Sequence, residues 1–221
     1  MSETRWSEVD AYVAGKLLGA DAVMDEVLKA NAAARLPPID VSPAQGRLLE
    51  LLVRMTGSRR VLEIGTLGGY STLWMARGLP EDGGIVTLES SPMHAMVARG
   101  NFKRAGVFDR IDLRVGPALE TLPGVESDGL APFDFVFIDA DKPSNPAYLD
   151  WALRLSRKGT VIVLDNVIRD GDVVQEASGD PSVEGSRAAF DFLAGHRRLR
   201  ATAIQTVGAK GYDGFAIAVV D

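Results

Sequence analysis

Val61-Leu62-Glu63-Ile64-Gly65-Thr66-Leu67-Gly68-Gly69-Tyr70-Ser71 is the stretch that decides the fold. The apolar run Val61 to Ile64 reads as a short strand bounded by a breaker-rich turn. The glycines after it let backbone approach a ligand closely. Ser71 and Thr72 are suited to cap the next helix, which is predicted through about Arg77. The N-terminus of that helix offers free N–H groups to an anion.

Downstream, strands and helices alternate. Gly84–Glu89, Ile111–Val115, Phe133–Ile138 and Thr160–Leu164 read as strands, with helices over Pro92–Ala105 and Asn145–Leu155 between them. A further helix is predicted over Arg187–Ala194. Arg200–Thr206 and Gly214–Val220 follow as two strands with no helix between them, so they are expected to pair as an antiparallel hairpin. Strand–helix alternation implies right-handed crossovers and a parallel sheet covered on both faces. The all-apolar Val161-Ile162-Val163-Leu164 suits a strand buried at the centre of such a sheet.

Upstream the pattern is helical. Val9, Tyr12, Val13, Lys16 and Leu17 follow an i, i+3, i+4 spacing that Gly19 ends, and Ala22 to Ala34 can form a second helix. Pro37 and Pro38 break it. Ser42-Pro43 then starts a third helix with a Leu48, Leu49, Leu52, Val53 stripe, closed by Gly57. The expected architecture is one α/β domain over 1–221: an N-terminal helical extension (1–40) and a core (41–221) built on a mostly parallel seven-stranded sheet with an antiparallel edge hairpin.

Composition narrows the chemistry. The 221 residues include 24 Lys+Arg against 30 Asp+Glu, a net charge of −6, with 46% hydrophobic residues and no cysteine. These proportions are those of a globular protein. Lack of cysteine excludes a disulfide framework, thiolate zinc, iron–sulfur clusters and a Cys nucleophile. The acidic balance argues against broad nucleic-acid binding. No apolar run approaches membrane-span length, and the start, Met1-Ser2-Glu3-Thr4-Arg5, has no signal-peptide character, so a cytoplasmic protein without a membrane anchor is expected.

In a doubly wound sheet, ligands bind beyond the carboxyl ends of the strands. Three motifs fall there. The glycine turn is one. Glu89, twenty residues after Gly69, ends the second strand, where a carboxylate can accept both hydroxyls of a ribose. The spacing G-x-x-G-G departs from the dinucleotide fingerprint, and Glu63 would repel a pyrophosphate but suit the sulfonium and ammonium of S-adenosylmethionine. The other two motifs are Asp139-Ala140-Asp141-Lys142 and Asp165-Asn166, each following a predicted strand. Asp139, Asp165 and Asn166 offer three hard oxygen ligands of the kind that hold Mg²⁺; strand-end aspartates also commonly cap helices. Lys142 is a candidate general base: a neighbouring dication disfavours its ammonium form, while acidic neighbours favour it. A surface pairing of Lys142 with Asp141 is the alternative.

In order, these motifs resemble the class I S-adenosylmethionine-dependent O-methyltransferases, in particular the cation-dependent branch containing the catechol and caffeoyl-CoA enzymes. The likeness runs from about Val41 to Asp221 and includes Tyr212-Asp213-Gly214-Phe215. It implies a Rossmann-like methyltransferase fold. It also implies that Gly65 and Thr66 lie along S-adenosylmethionine, with Val41, Glu63 and Ser71 toward its methionine end, Glu89 on the ribose, Pro117 and Ala118 at the adenine, and Tyr70 and Asp139 as further cofactor-binding residues. Asp139, Asp165 and Asn166 would hold Mg²⁺ (or Mn²⁺ or Ca²⁺), and Asp139 and Lys142 would be the catalytic pair. Arg169 departs from the bulky apolar residue that relatives often carry there.

The implied acceptor is an aromatic vicinal diol. A free phenol, with a pKa of about 10, is a poor nucleophile near neutral pH, and a bound dication lowers such values by several units. The segment from Arg169 to Val183 reads as a loop walling the acceptor pocket. The N-terminal helices read as a second wall or a homodimer contact. His94 and His196 read as structural or surface residues, and Trp74 and Trp151 as packing. Two other functions remain open on sequence grounds: an NAD-dependent oxidoreductase on a similar fold, and a non-catalytic S-adenosylmethionine-binding protein.

Overall fold

The computed structural model describes residues 3–221, so the first two residues of the N-terminal reading lie outside the described residues. The helices are α1 (Glu3–Leu17), α2 (Ala22–Ala33), α3 (Pro43–Met55), α4 (Tyr70–Gly78), α5 (Pro92–Arg104), α6 (Ala118–Ser127), α7 (Asn145–Arg154) and α8 (Pro181–Gly195). The strands are β1 (Arg60–Ile64), β2 (Gly84–Glu89), β3 (Ile111–Val115), β4 (Phe133–Ile138), β5 (Ser156–Asp165), β6 (Leu199–Gly208) and β7 (Gly211–Val220). They form one seven-stranded sheet in the order β3-β2-β1-β4-β5-β7-β6. Strands β1 to β5 pair in parallel, and β7 runs antiparallel to both β5 and β6. The expected seven-stranded α/β sheet with its hairpin at one edge is what forms.

Side chains on a strand alternate between faces, and here both faces are apolar. Leu62, Ile64, Val136, Ile138, Ile162 and Leu164 join Leu122 of α6, Leu149 of α7 and Leu193 of α8 in one core. Val61, Phe135, Phe137, Val161 and Val163 join Val27 of α2, Leu49 of α3, Trp74 of α4 and Phe102 of α5 in the other. The N-terminal extension is therefore not an appendage. Its α2 belongs to one covering layer, whereas α1 buries no residue.

Local chemistry sets several boundaries. Ser42 and Ser91 cap α3 and α5, each followed by proline in the first turn. Helix α4 departs from expectation: it starts at Tyr70, its N-cap is Gly69 at φ 85°, and Ser71 and Thr72 lie inside it with their hydroxyls turned elsewhere. Helix α8 is longer than predicted because Asp180 caps it, its Oδ1 accepting from Ser182 N at 2.7 Å. Among the described residues, no helix is long and apolar enough to cross a membrane.

Register brings the motifs together. Ile64 pairs with Leu88 and with Ile138, and Ile138 pairs with Leu164. Gly65, Glu89, Asp139 and Asp165 therefore emerge along one rim. Gly65, at φ 101°, is required there: a Cβ on it would sit 2.0 Å from the Asp139 carbonyl oxygen.

Candidate active site

A cavity of about 770 Å³ opens at this rim. Gly65 and Thr66 from the end of β1, and Tyr70 and Ser71 from the start of α4, line one side. Glu89 from the end of β2, and Pro117 and Ala118 after β3, line another. Val41, before α3, and Asp139, Lys142 and Asn166 complete the wall. A second cavity of about 540 Å³, between α3 and the β6–β7 hairpin, takes in Asp165. The two cavities share Ile39, Asp40, Val41, Asn166 and Arg169.

Glu63 is not in either wall. It is fully buried beneath the floor. Its carboxylate accepts from Ser71 Oγ and Thr87 Oγ1, both at 2.6 Å, and from Thr72 Oγ1. Thr87 faces it because the two residues are register partners across β1 and β2. The sequence reading aimed Glu63 at a cofactor cation; in the structure it instead anchors the first turn of α4, which is why Ser71 and Thr72 do not cap that helix. Burial pushes its acid up to about 7 from an ordinary 4.5, against the pull of the three hydroxyls.

This shift has a stability consequence of definite sign. The folded state keeps a proton that the unfolded chain releases near 4.5. The stability linked to Glu63 is thus full below about pH 4.5 and is lost as pH rises through about 7. A shift of this size corresponds to about 3 kcal/mol. Glu63→Gln, which mimics the protonated acid, should gain roughly that much on the wild type between pH 4.5 and pH 8 in urea unfolding. An unchanged difference across that range would contradict the buried-acid assignment.

Glu89 is likewise nearly buried. Its Oε2 accepts from Leu67 N at 2.7 Å and Thr66 N at 3.3 Å, and its Oε1 from Ser91 N at 2.9 Å. His94 Nδ1 lies 3.3 Å from the same Oε1, and His94 lines the first cavity. Sequence reasoning treated His94 as structural or surface. Its position on the first turn of α5, just after the carboxylate, was the available signal. His196 stacks on Phe192 away from the site, and Trp74 is buried with Arg47 and Arg77 over its ring.

Lys142 is buried, and its Nζ donates to Asp139 Oδ1 at 3.0 Å. The alternative pairing with Asp141 is not made; Asp141 accepts from the Tyr148 hydroxyl. Asp165 is only 4% exposed. Its Oδ2 accepts from Gln45 Nε2 at 2.7 Å and its Oδ1 from Asn166 N at 2.9 Å. Burial raises its acid, the charge of Asp139 raises it further, and Lys142 opposes both. Gln45, from α3, is a second residue that sequence reasoning missed.

The Lys142 amino group thus pairs with Asp139, while Asp165 is held by Gln45 and its neighbour's amide. Asn166, beside them, is held at φ 56°, a left-handed conformation that asparagine tolerates. The oxygen donors, two anionic and one amide, fit a hard divalent cation. Among the described residues, no group of three or more His, Cys, Asp and Glu side chains gathers to hold a metal; the candidate set depends on the amide oxygen as its third ligand.

Comparisons with known proteins give the family. The family profile described as O-methyltransferase matches residues 17–208. A protein named catechol O-methyltransferase from Mycobacterium tuberculosis is 53% identical over 213 residues, 96% of this chain and 95% of that one. The O-methyltransferase from Bacillus cereus, solved in complex with SAH, superposes with a TM-score of 0.98 at 54% identity, with 100% of both chains covered. TomG from Streptomyces achromogenes, an O-methyltransferase involved in tomaymycin synthesis and solved with SAM, superposes at 0.96 with 46% identity over 100% of this chain and 99% of that one.

Proposed function

Since the chain belongs to the O-methyltransferase family, we propose that it moves a methyl group from S-adenosylmethionine to one hydroxyl of a metal-chelated aromatic vicinal diol. The observation that carries this reading is the junction of the two cavities. Asp139 and Lys142 line the first, Asp165 the second, and Asn166 both. An acceptor at the junction faces all four residues. Family membership sets aside the oxidoreductase alternative.

The residues divide the work. Gly65 and Thr66 give S-adenosylmethionine close backbone, Val41, Tyr70 and Ser71 surround its methionine end, Glu89 accepts its ribose hydroxyls, and Pro117 and Ala118 border its adenine. It supplies the electrophilic sulfonium methyl. Glu63 fixes the turn that presents Ser71. Asp139, Asp165 and Asn166 would hold Mg²⁺ or a similar dication, which when bound lowers the pKa of a chelated hydroxyl. In its neutral amine form, Lys142 Nζ, seated beside Asp139 and out of bulk solvent, would receive the phenolic proton. Holding acceptor and methyl donor in attacking geometry supplies roughly 7–11 kcal/mol more. The exposed Val9, Tyr12 and Leu17 of α1 support a homodimer contact through that helix.

The test is methyl transfer from S-adenosylmethionine to matched o-diphenols and monophenols, with product position read by NMR. Only the o-diphenols should be methylated, on a single oxygen per turnover. Equal turnover of monophenols would contradict chelation.

A further inference from the structure

Resting on the o-diphenol reading, we propose that Arg169 selects acceptors whose ring carries a carboxylate. Arg169 stands where the two cavities meet and lines both. Among the described residues, its guanidinium makes no hydrogen bond, and its Nε is buried without a partner. The nearest carboxylate oxygen in an ion pair with it, Asp213 Oδ2, is 3.6 Å from its terminal nitrogen, beyond hydrogen-bond range. A buried, unused donor on a charged group is costly unless something arrives to accept it.

The backbone explains why this arginine is presented rather than folded away. Asp213 Oδ1 accepts from three amides, Ile168 N at 2.9 Å, Arg169 N at 3.0 Å and Gly214 N at 2.9 Å. That carboxylate is committed to holding the turn. Arg169 and Asp170 are in turn fixed at φ 54° and 56°, a conformation that side chains rarely adopt. Of the other acids in the second cavity, Asp170 has no side-chain partner among the described residues, whereas three are engaged by the protein. Asp10 accepts from Ala209 N, Asp40 from Asn31 Nδ2, and Asp165 from Gln45 Nε2. Lys210, the other cation of this cavity, donates to the Pro38 carbonyl oxygen at 2.8 Å.

Arg169 is thus a planar fork with free donors, facing the space that an acceptor's ring substituents enter. Guanidinium forks match carboxylates in two parallel hydrogen bonds. A neutral or cationic substituent would leave the donors unused.

The test compares kcat/KM for two acid–amide pairs: 3,4-dihydroxybenzoate with its amide, and 3-(3,4-dihydroxyphenyl)propionate with its amide. Wild type, Arg169→Met and Arg169→Lys are measured. The wild type should favour the acid in at least one pair by about tenfold or more, the size of a charge-assisted hydrogen bond in a part-buried site. Arg169→Met should erase that preference, mainly through KM of the acid, and leave the amide within about twofold. Arg169→Lys should recover part of it. Equal rates for acid and amide in both pairs would overturn the proposal, as would an Arg169→Met loss that falls on acid and amide alike, the mark of a merely structural arginine. Failure to methylate any of the four would contradict the o-diphenol reading itself, and this inference with it.

Discussion

Replacing Asp165 with alanine should lower kcat/KM for an o-diphenol by at least about a hundredfold, more than the 10–100-fold typical of losing an outer partner of a metal ligand. The variant loses one of two carboxylates in a three-oxygen set, and neither Gln45 nor Asn166 can supply its charge. Cofactor affinity should be unchanged, because Asp165 lines the second cavity and the proposed cofactor residues line the first. Folding should not suffer in proportion. Burial and the charge of Asp139 both disfavour the ionised Asp165, so its removal relieves a cost while Gln45 loses an acceptor. Steady-state kinetics, a cofactor titration and a thermal melt together check this. A variant with wild-type kcat/KM would remove Asp165 from the metal set.

Lys142→Met is the second large effect. Positioned proton acceptors contribute about 10²–10⁴-fold, and a loss in that range is expected in kcat. Its partner is Asp139 and no proposed cofactor contact runs through it, so its loss should leave cofactor affinity intact. It should also leave divalent-cation affinity equal or higher, because Asp139 would then lack its ion-pair partner and Asp165 the opposing charge. That combination separates a proton-transfer role from a metal-holding one. A variant with weakened cation binding and a normal kcat at saturating metal would reverse the assignment.

Much of the framework was legible in the residues. Strands β2, β3 and β4 begin and end where the sequence pattern places them, β3 by its period-two alternation. Helix α6 went unseen, because Pro117 at its N-cap and Pro123 and Gly124 inside it all read as breakers. Burial of its own Leu122 and Val125 in the core holds it despite them. The site divides in the same way. Residues adjacent to strand ends were visible, because parallel strands deliver their carboxyl ends to one rim. Gln45 was not, since it reaches Asp165 across 120 positions of sequence through the packing of α3. Glu63 was visible as an acid but not in its task, which depends on strand pairing with Thr87 and on the hydroxyls of Ser71 and Thr72.

The central claim is that a divalent cation, held by two acids and an amide at the cavity junction, makes the acceptor oxygen nucleophilic. Methyl transfer from S-adenosylmethionine to catechol, followed before and after chelation with EDTA and again on adding Mg²⁺, tests it most directly. Turnover should stop with chelation and return with the cation. Turnover that continues undiminished in excess EDTA would contradict the claim.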